Sequence, residues 1–226
     1  MFVYKLTDRD GYTRRGTRLG ETYWEVGVSH SAPGGALCTA DVIHAYIDPL
    51  VAVFMDPIHG AYLPTALLWE GEGVVCVDDG TKLGLTRFTP HRQLPLPVLL
   101  LLQRAETAIR CALAVYTEPS YHTWALAWLD GQRAAREVGA ALEVALLVRT
   151  ADRTVWATRT AEHAALAVAQ IAAGTPGVSE LAAWVAVWAL KAAQFNLAAI
   201  IHQVVNPDKS AESSPSDLTF LARGLG

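Results

Sequence analysis

The chain has 226 residues, of which 52% are hydrophobic and 18% charged, and its formal net charge is −4. This composition excludes an intrinsically disordered chain and provides enough apolar surface for one large domain or two small ones. The acidic balance, with no long Lys/Arg run, argues against a nucleic-acid partner, because proteins that grip phosphate backbones present a basic face.

Residues 1–95 are predicted to form a small β-rich domain, because short alternating runs are separated by turn residues throughout this part. Asp48 is the expected N-cap of a short helix over residues 50–55, with Pro49 at its first position. Asp10-Gly11 and Asp78-Asp79-Gly80 are typical of turns, and Ser31-Ala32-Pro33-Gly34-Gly35 of a loop. The predicted strands are 2–6, 22–26, 43–47, 67–70 and 74–77.

Residues 96–206 are predicted to form an alanine-rich bundle of about five helices, because glycine and proline become scarce and apolar residues recur every three or four positions. The fold class is therefore α+β. The expected helices are 98–116, a short one from Ser120 that holds Trp124 and Trp128, one with Val138 and Leu142 on one face, 152–173, and 179–205. Residues 207–226 are interpreted as a polar linker with a short apolar C-terminal segment.

Trp124 and Trp128 have two interpretations. Large rings among alanines fill the space between closely packed helices, which favours a place in the core. They can also line a ligand cleft or a groove for a protein partner, and we retain both as candidate ligand- or partner-binding residues.

The predicted location is the cytoplasm, and no membrane association is expected. Three widely spaced cysteines form no disulfide framework, the N-terminal residues lack the apolar core of a signal peptide, and polar residues interrupt the longest apolar run. Cys38, His44, His59 and Cys76 are zinc-ligand types, but their spacing matches no common zinc motif. We therefore predict no metal and no cofactor.

Three segments of the first domain contain residues suited to nucleotide chemistry: Tyr12-Thr13-Arg14-Arg15-Gly16-Thr17, His44-Ala45-Tyr46-Ile47-Asp48 and Glu70-Gly71-Glu72. Together they resemble the ADP-ribosyltransferase superfamily. The resemblance implies an NAD-using site in which Arg15 holds a ribose or phosphate, Tyr46 stacks on nicotinamide and Glu72 stabilises positive charge on the ribose. The alternative is a set of turn arginines beside a solvated strand face. Arg14 and His44 are further candidate ligand-binding residues.

A second pattern extends over residues 1–205. It includes Ile43-His44-Ala45-Tyr46, Asp79-Gly80-Thr81-Lys82-Leu83-Gly84 and the helical part that follows Arg110-Cys111-Ala112-Leu113. This arrangement resembles uncharacterised phage and prophage proteins, and the helical half is similar to putative immunity-protein domains. The resemblance implies a setting in mobile elements or phage–host conflict.

Three functions follow as hypotheses. The first is a non-enzymatic binding protein of phage or bacterial accessory type, which antagonises a host defence protein or sequesters a nucleotide signal. The second is an ADP-ribosyltransferase-like enzyme, or an inactive relic of one, that uses NAD. The third is a structural or assembly protein that forms a homo-oligomer through its helical half. The expected partner is a protein or a small nucleotide.

Overall fold

The computed structural model describes residues 1–16, 21–132, 134–149 and 156–207. Within this part the chain is mixed α+β, with an N-terminal sheet region followed by helices, which confirms the predicted class at that level. The chain divides into two compact units, the first comprising Met1–Val98 and the second Leu99–Gly226. Thr17, the first residues of the predicted fourth helix and the predicted linker and apolar segment beyond residue 207 lie outside the described residues.

The first unit is built on an antiparallel sheet in which β1, β6, β7 and β4 are neighbours in that order, and β5 also pairs with β7. A separate ribbon joins β2 to β3. The strands are β1 (Phe2–Thr7), β2 (Tyr12–Thr13), β3 (Thr22–Tyr23), β4 (His30–Ser31), β5 (Ile43–Ala45), β6 (Leu67–Asp78) and β7 (Leu83–Leu94).

The long β6–β7 hairpin differs from the sequence-based prediction. Two short strands were expected where the single 12-residue strand β6 runs, and β7 was not predicted. Pro90 lies within β7 opposite Gly71, where the pairing register shifts. A bulge of this kind accommodates a residue that has no N–H for the ladder.

Helix α1 (Pro49–His59) confirms the predicted helix start. The Asp48 carboxylate accepts hydrogen bonds from the backbone N–H groups of Leu50 and Val51, at 2.8 and 3.2 Å. Burial of seven consecutive residues, 50–56, shows that this helix is covered on all sides. The sheet core beside it is formed by buried aliphatic and aromatic residues that include Val3, Trp24, Leu85 and Phe88.

The second unit contains α2 (Leu101–Leu113), α3 (Pro119–Leu129), a short 3-10 turn (Ala134–Arg136), α4 (Val138–Arg149), α5 (Trp156–Ala173), α6 (Val178–Ala192) and α7 (Leu197–Val205). The predicted 179–205 helix is divided, because the backbone is extended at Ala193 and Asn196 caps a new helix by accepting from the Ala199 N–H. Glu118, rather than Ser120, caps α3. None of the helices in the described part is both long and apolar enough to cross a bilayer.

Substitution by alanine is expected to have opposite effects on stability at Gly71 and at Gly139. A Cβ on Gly71 overlaps the Thr89 carbonyl oxygen and the Phe88 ring, whereas one on Gly139, in α4, meets nothing within 4 Å. We expect Gly71→Ala to lower the free energy of unfolding by about 1–3 kcal/mol, and Gly139→Ala to raise it by up to about 1 kcal/mol. Urea titration of each variant measures both. If the two substitutions changed the free energy of unfolding equally, the tight packing around Gly71 would be contradicted.

Candidate functional site

The first unit contains a cleft of about 510 Å³, a volume suited to a small organic ligand. Strands β1, β4 and β5, the end of α1 and the segments after β2 and before β7 all contribute side chains to it. Its lining is rich in nitrogen bases and cations, namely Lys5, Arg14, His30, His44, His59 and Lys82. We call this space the cationic cleft.

Lys5 is the most deeply buried of these cations, with 5% of its surface exposed. Its Nζ donates to the His44 carbonyl oxygen at 2.9 Å and lies 4.6 Å from the centroid of a ring of Trp24, a cation–π distance. Among the described residues no carboxylate lies within ion-pair distance of Lys5. Burial, assisted by the nearby Arg14 charge, lowers the pKa of the Lys5 amine to about 7.

Arg14 fixes the loop that forms one edge of the cleft. Its guanidinium donates to the Val42 carbonyl at 3.1 Å and to the Thr39 and Ala40 carbonyls at 3.4 Å. Arg14 and Cys38 both have left-handed backbones, with φ of 60° and 64°. Left-handed residues other than glycine cluster at functional sites, where the surrounding structure holds them in place. All three of these acceptors are uncharged backbone carbonyls.

Lys82 enters the cleft from the β6–β7 turn and is 7% exposed. The Asp79 carboxylate fixes this turn by accepting from the backbone N–H groups of Thr81 and Lys82, both at 2.9 Å. The Lys82 Nζ donates to Cys38 Sγ at 3.0 Å. The thiol and the ammonium group therefore meet at the cleft wall.

His44 and His59 are neutral at pH 7. Burial is the main cause that lowers the pKa of each to about 4, and Lys82 acts in the same direction on both. His44 Nε2 accepts the Cys38 backbone N–H at 3.0 Å, so this nitrogen is not available as a base for the Cys38 thiol. The Tyr46 hydroxyl lies 3.2 Å from His59 Nδ1, and burial raises the pKa of Tyr46. The histidines and Tyr46 thus provide neutral hydrogen-bonding groups.

The cleft has an excess of positive charge. Asp56 is the one carboxylate among its described lining residues, and its oxygens already accept the backbone N–H groups of Tyr62 and Leu63 at 3.0–3.1 Å. His30 Nε2 is buried and has no hydrogen-bond partner in the described part of the chain. Because buried polar atoms are normally paired, His30 favours a polar ligand or solvent in the cleft.

The residues proposed for an NAD site do not share this cleft. Tyr46 lines it, but Arg15 is not among its lining residues and pairs instead with Asp10 at 2.5 Å. Glu72 lies on β6 and lines a separate cavity of about 250 Å³. Catalysis on one NAD requires all three residues at the same ligand. Of the three residues only Tyr46 lines the cleft, and a catalytic role for Arg15, Tyr46 and Glu72 stays a prediction.

The candidate ligand-binding residues are divided between the two units. Arg14 and His44 both line the cationic cleft. Trp124 and Trp128 are in the second unit and are 7% and 3% exposed. The Trp124 indole N–H donates to the Ala135 carbonyl at 3.1 Å, as expected for a buried ring. This burial favours the core interpretation of the two tryptophans over a ligand- or partner-binding surface.

The four residues considered as zinc ligands do not all line the cleft. Cys38, His44 and His59 line the cleft, whereas Cys76 Sγ donates to the Gly84 carbonyl at 3.3 Å. In the described ranges no group of three or more His, Cys, Asp or Glu side chains has an arrangement that could hold a metal ion.

Lys5 and Lys82 were not predicted from the sequence. Lys5 is next to two apolar residues in a short strand, and Lys82 follows a turn signal, so each resembles an ordinary solvent-exposed lysine. The one available signal was the scarcity of lysine in the chain, which does not indicate burial.

The structure is therefore that of an α+β chain whose first unit contains a cleft lined by several cationic side chains. No protein-family model matches the chain, and no curated protein or solved structure shows significant similarity to it. The functional argument therefore depends on the chemistry of the cleft.

The low pKa values of His44 and His59 predict a pH-dependent stability. Between pH 4 and 6.5 the folded state binds fewer protons than the unfolded state, so the free energy of unfolding rises with pH. Each histidine contributes a slope of up to about 1.4 kcal/mol per pH unit. We expect His59→Gln to reduce this slope, as measured by urea unfolding from pH 4 to 7. An unchanged slope, or an equal reduction in the exposed control His91→Gln, would contradict the buried neutral state of His59.

Proposed function

We propose that the chain is a non-enzymatic binding protein whose cationic cleft holds a small anionic ligand with the size and charge of a nucleotide. The observation that carries this proposal is the presence of Lys5, Arg14 and Lys82 around one cavity whose single described carboxylate is already bonded to backbone N–H groups. Buried cations without carboxylate partners are costly, and an anionic ligand offsets that cost.

The other lining groups favour a ligand with both charged and uncharged parts. Arg14 and Lys82 provide charge on the loop side, where phosphate or carboxylate oxygens accept strong hydrogen bonds. Tyr46, His44 and His59 are uncharged at neutral pH and are suited to hydroxyl, amide or ring nitrogen atoms. A nucleotide combines these two chemistries within the available volume.

The broader setting remains a prediction from sequence resemblance. In a phage or bacterial accessory protein, this cleft would sequester a nucleotide signal. Antagonism of a host defence protein and homo-oligomeric assembly are further predictions for which the cleft provides no specific support. The NAD-dependent transferase also stays a prediction from sequence resemblance, and the cleft gives it no specific support because Arg15 and Glu72 are not among its lining residues.

Two adjacent arginines provide a matched test of anion binding. Arg14 lines the cleft, whereas Arg15 is about half exposed and pairs with Asp10. We expect ADP-ribose to bind the native chain in isothermal titration calorimetry, and adenosine, which has no phosphate, to bind far more weakly. Loss of one charge-assisted hydrogen bond costs about 1.5–3 kcal/mol, so Arg14→Gln should raise the Kd for ADP-ribose by about 10- to 100-fold.

Arg15→Gln is the control and should leave the Kd within about twofold of the native value, because exposed ion pairs contribute little. Pyrophosphate, titrated in parallel, reports the contribution of the phosphates alone. Absence of binding by both ADP-ribose and pyrophosphate would contradict the proposal. Equal losses in the two arginine variants would place the ligand outside the cleft.

Two exposed cysteines allow the ligand position to be mapped on the unmodified chain. Cys38 lines the cleft beside Lys82, and Cys76 does not line it. We expect saturating ADP-ribose to slow iodoacetamide labelling of Cys38 severalfold, because bound ligand covers the sulfur, and to leave the labelling rate of Cys76 unchanged. Peptide mass spectrometry over a time course measures both rates. Protection of Cys76 alone would place the ligand elsewhere.

A further inference from the structure

We propose that Lys5 is a nucleophilic amine that captures the carbonyl group of an anionic ligand as a reversible imine. This inference rests on the proposed function, since the cleft must first hold the anionic part of the ligand. It adds a ligand class, namely aldehydes or ketones that also bear phosphate or carboxylate groups. It also gives Lys5 a covalent role, in addition to attracting the negative charge of the ligand.

The position of Lys5 separates it from an ordinary structural lysine. It is on the central part of β1, it lines the cavity, and its Nζ is held beside the His44 carbonyl and the Trp24 ring. No carboxylate of the described residues is close enough to retain the ammonium form. A desolvated lysine next to another cation is the usual arrangement of an amine that reacts with carbonyl compounds.

The neighbouring charges act in the same direction. Arg14 is the charged group that lowers the pKa of Lys5 in addition to burial, and that pKa is about 7. Burial lowers the pKa of His30 and of His44, and the Lys5 charge acts in the same direction on both. Near neutral pH about half of the Lys5 side chains are therefore free amines with an available lone pair.

The reaction is a balanced condensation without an oxidant or reductant. The neutral Lys5 Nζ attacks the carbonyl carbon and forms a C–N bond, and the carbonyl oxygen takes up a proton to give a carbinolamine. The proton that the oxygen takes up is replaced by one that Nζ releases, so the carbinolamine keeps a single N–H. Nζ then gives up that last proton, the hydroxyl group leaves with a proton as water, and a C=N bond forms. Tyr46 and His59, which share a hydrogen bond in the same cavity, are placed among the groups that can exchange protons during these steps. Addition of water reverses the reaction and releases the ligand.

Lys191 provides an internal control on the same polypeptide. Its Nζ lies 4.7 Å from a ring centroid of Trp156, almost the same distance as that between Lys5 and Trp24. Lys191 is exposed, however, whereas Lys5 is buried. A difference in reactivity between the two amines therefore reports burial and the cleft, and not the adjacent aromatic ring.

The experiment uses pyridoxal 5′-phosphate as an aldehyde probe with a phosphate group, and pyridoxal as the matched probe without one. The full-length chain is treated with each probe at pH 7, the imines are fixed with cyanoborohydride, and the labelled lysines are mapped by peptide mass spectrometry. At pH 7 an amine with a pKa of about 7 has roughly a thousandfold more of its neutral form than an ordinary lysine. We expect Lys5 to be labelled at least about tenfold faster than Lys191, and faster by pyridoxal 5′-phosphate than by pyridoxal.

The pH profile and two variants complete the test. The Lys5 rate should rise with pH and level off above about pH 8, where an amine with a pKa of about 7 is roughly nine-tenths neutral, while the Lys191 rate continues to rise. Lys5→Met should abolish the fast labelling, and Lys82→Gln should retain it at Lys5 with a reduced preference for the phosphate probe. Labelling of Lys82 or Lys191 in place of Lys5 in the native chain would overturn the proposal, whether or not Lys5→Met folds.

The two proposals fail in different ways. If ADP-ribose and pyrophosphate bind but neither probe labels Lys5 above Lys191, the imine chemistry is excluded and the anion-binding function stands. If Lys5 is labelled equally fast by pyridoxal and pyridoxal 5′-phosphate, and neither ADP-ribose nor pyrophosphate binds, Lys5 is a reactive amine but the anionic ligand class is wrong.

Discussion

The first unit buries the ammonium group of Lys5 with no carboxylate of the described residues at ion-pair distance. Removing an ammonium group from water is expensive, and a protein normally compensates with a carboxylate. At Lys5 the compensation comes from the His44 carbonyl, the face of Trp24 and partial loss of the proton. Each of these is weaker than an ion pair. The cleft is consequently held in a state that an anion would stabilise.

The loop around the cleft maintains this state. Arg14 directs its donors to three carbonyls of the 39–42 segment, and both Arg14 and Cys38 adopt left-handed backbones. Such conformations cost on the order of 1 kcal/mol or more, and they persist where surrounding contacts determine them. Without Arg14 these carbonyls lose the guanidinium donors, and the segment that carries Cys38 toward Lys82 is held by fewer contacts, among them the hydrogen bond from the Cys38 N–H to His44 Nε2. Charge and backbone geometry are therefore coupled at this site.

Much of the fold was accessible from the sequence, because caps and turns are local. Asp48 followed by Pro49 predicted the start of α1, and the glycine-containing turn before Lys82 was also recognised. The burial of Lys5 was not accessible. Alternation along β1 places Lys5 on the side opposite the more apolar Phe2, Tyr4 and Leu6, and yet Phe2 is 61% exposed while Lys5 is buried. That outcome depends on Trp24 and the strands around it, which are distant in sequence, so no local pattern reveals it.

The distribution of charge decides between a small anion and a nucleic acid. The chain as a whole has a net charge of −4, so its average field repels a long polyanion. The cationic cleft is concave and low in polarity on its Trp24 side, and such a site focuses the potential of its cations into the cavity. A ligand small enough to enter the cleft experiences the local charges of Lys5, Arg14 and Lys82, whereas a long phosphate backbone outside it experiences the net negative charge of the chain. The burial on which the proposed reactivity of Lys5 rests is thus consistent with the proposed small anionic ligand.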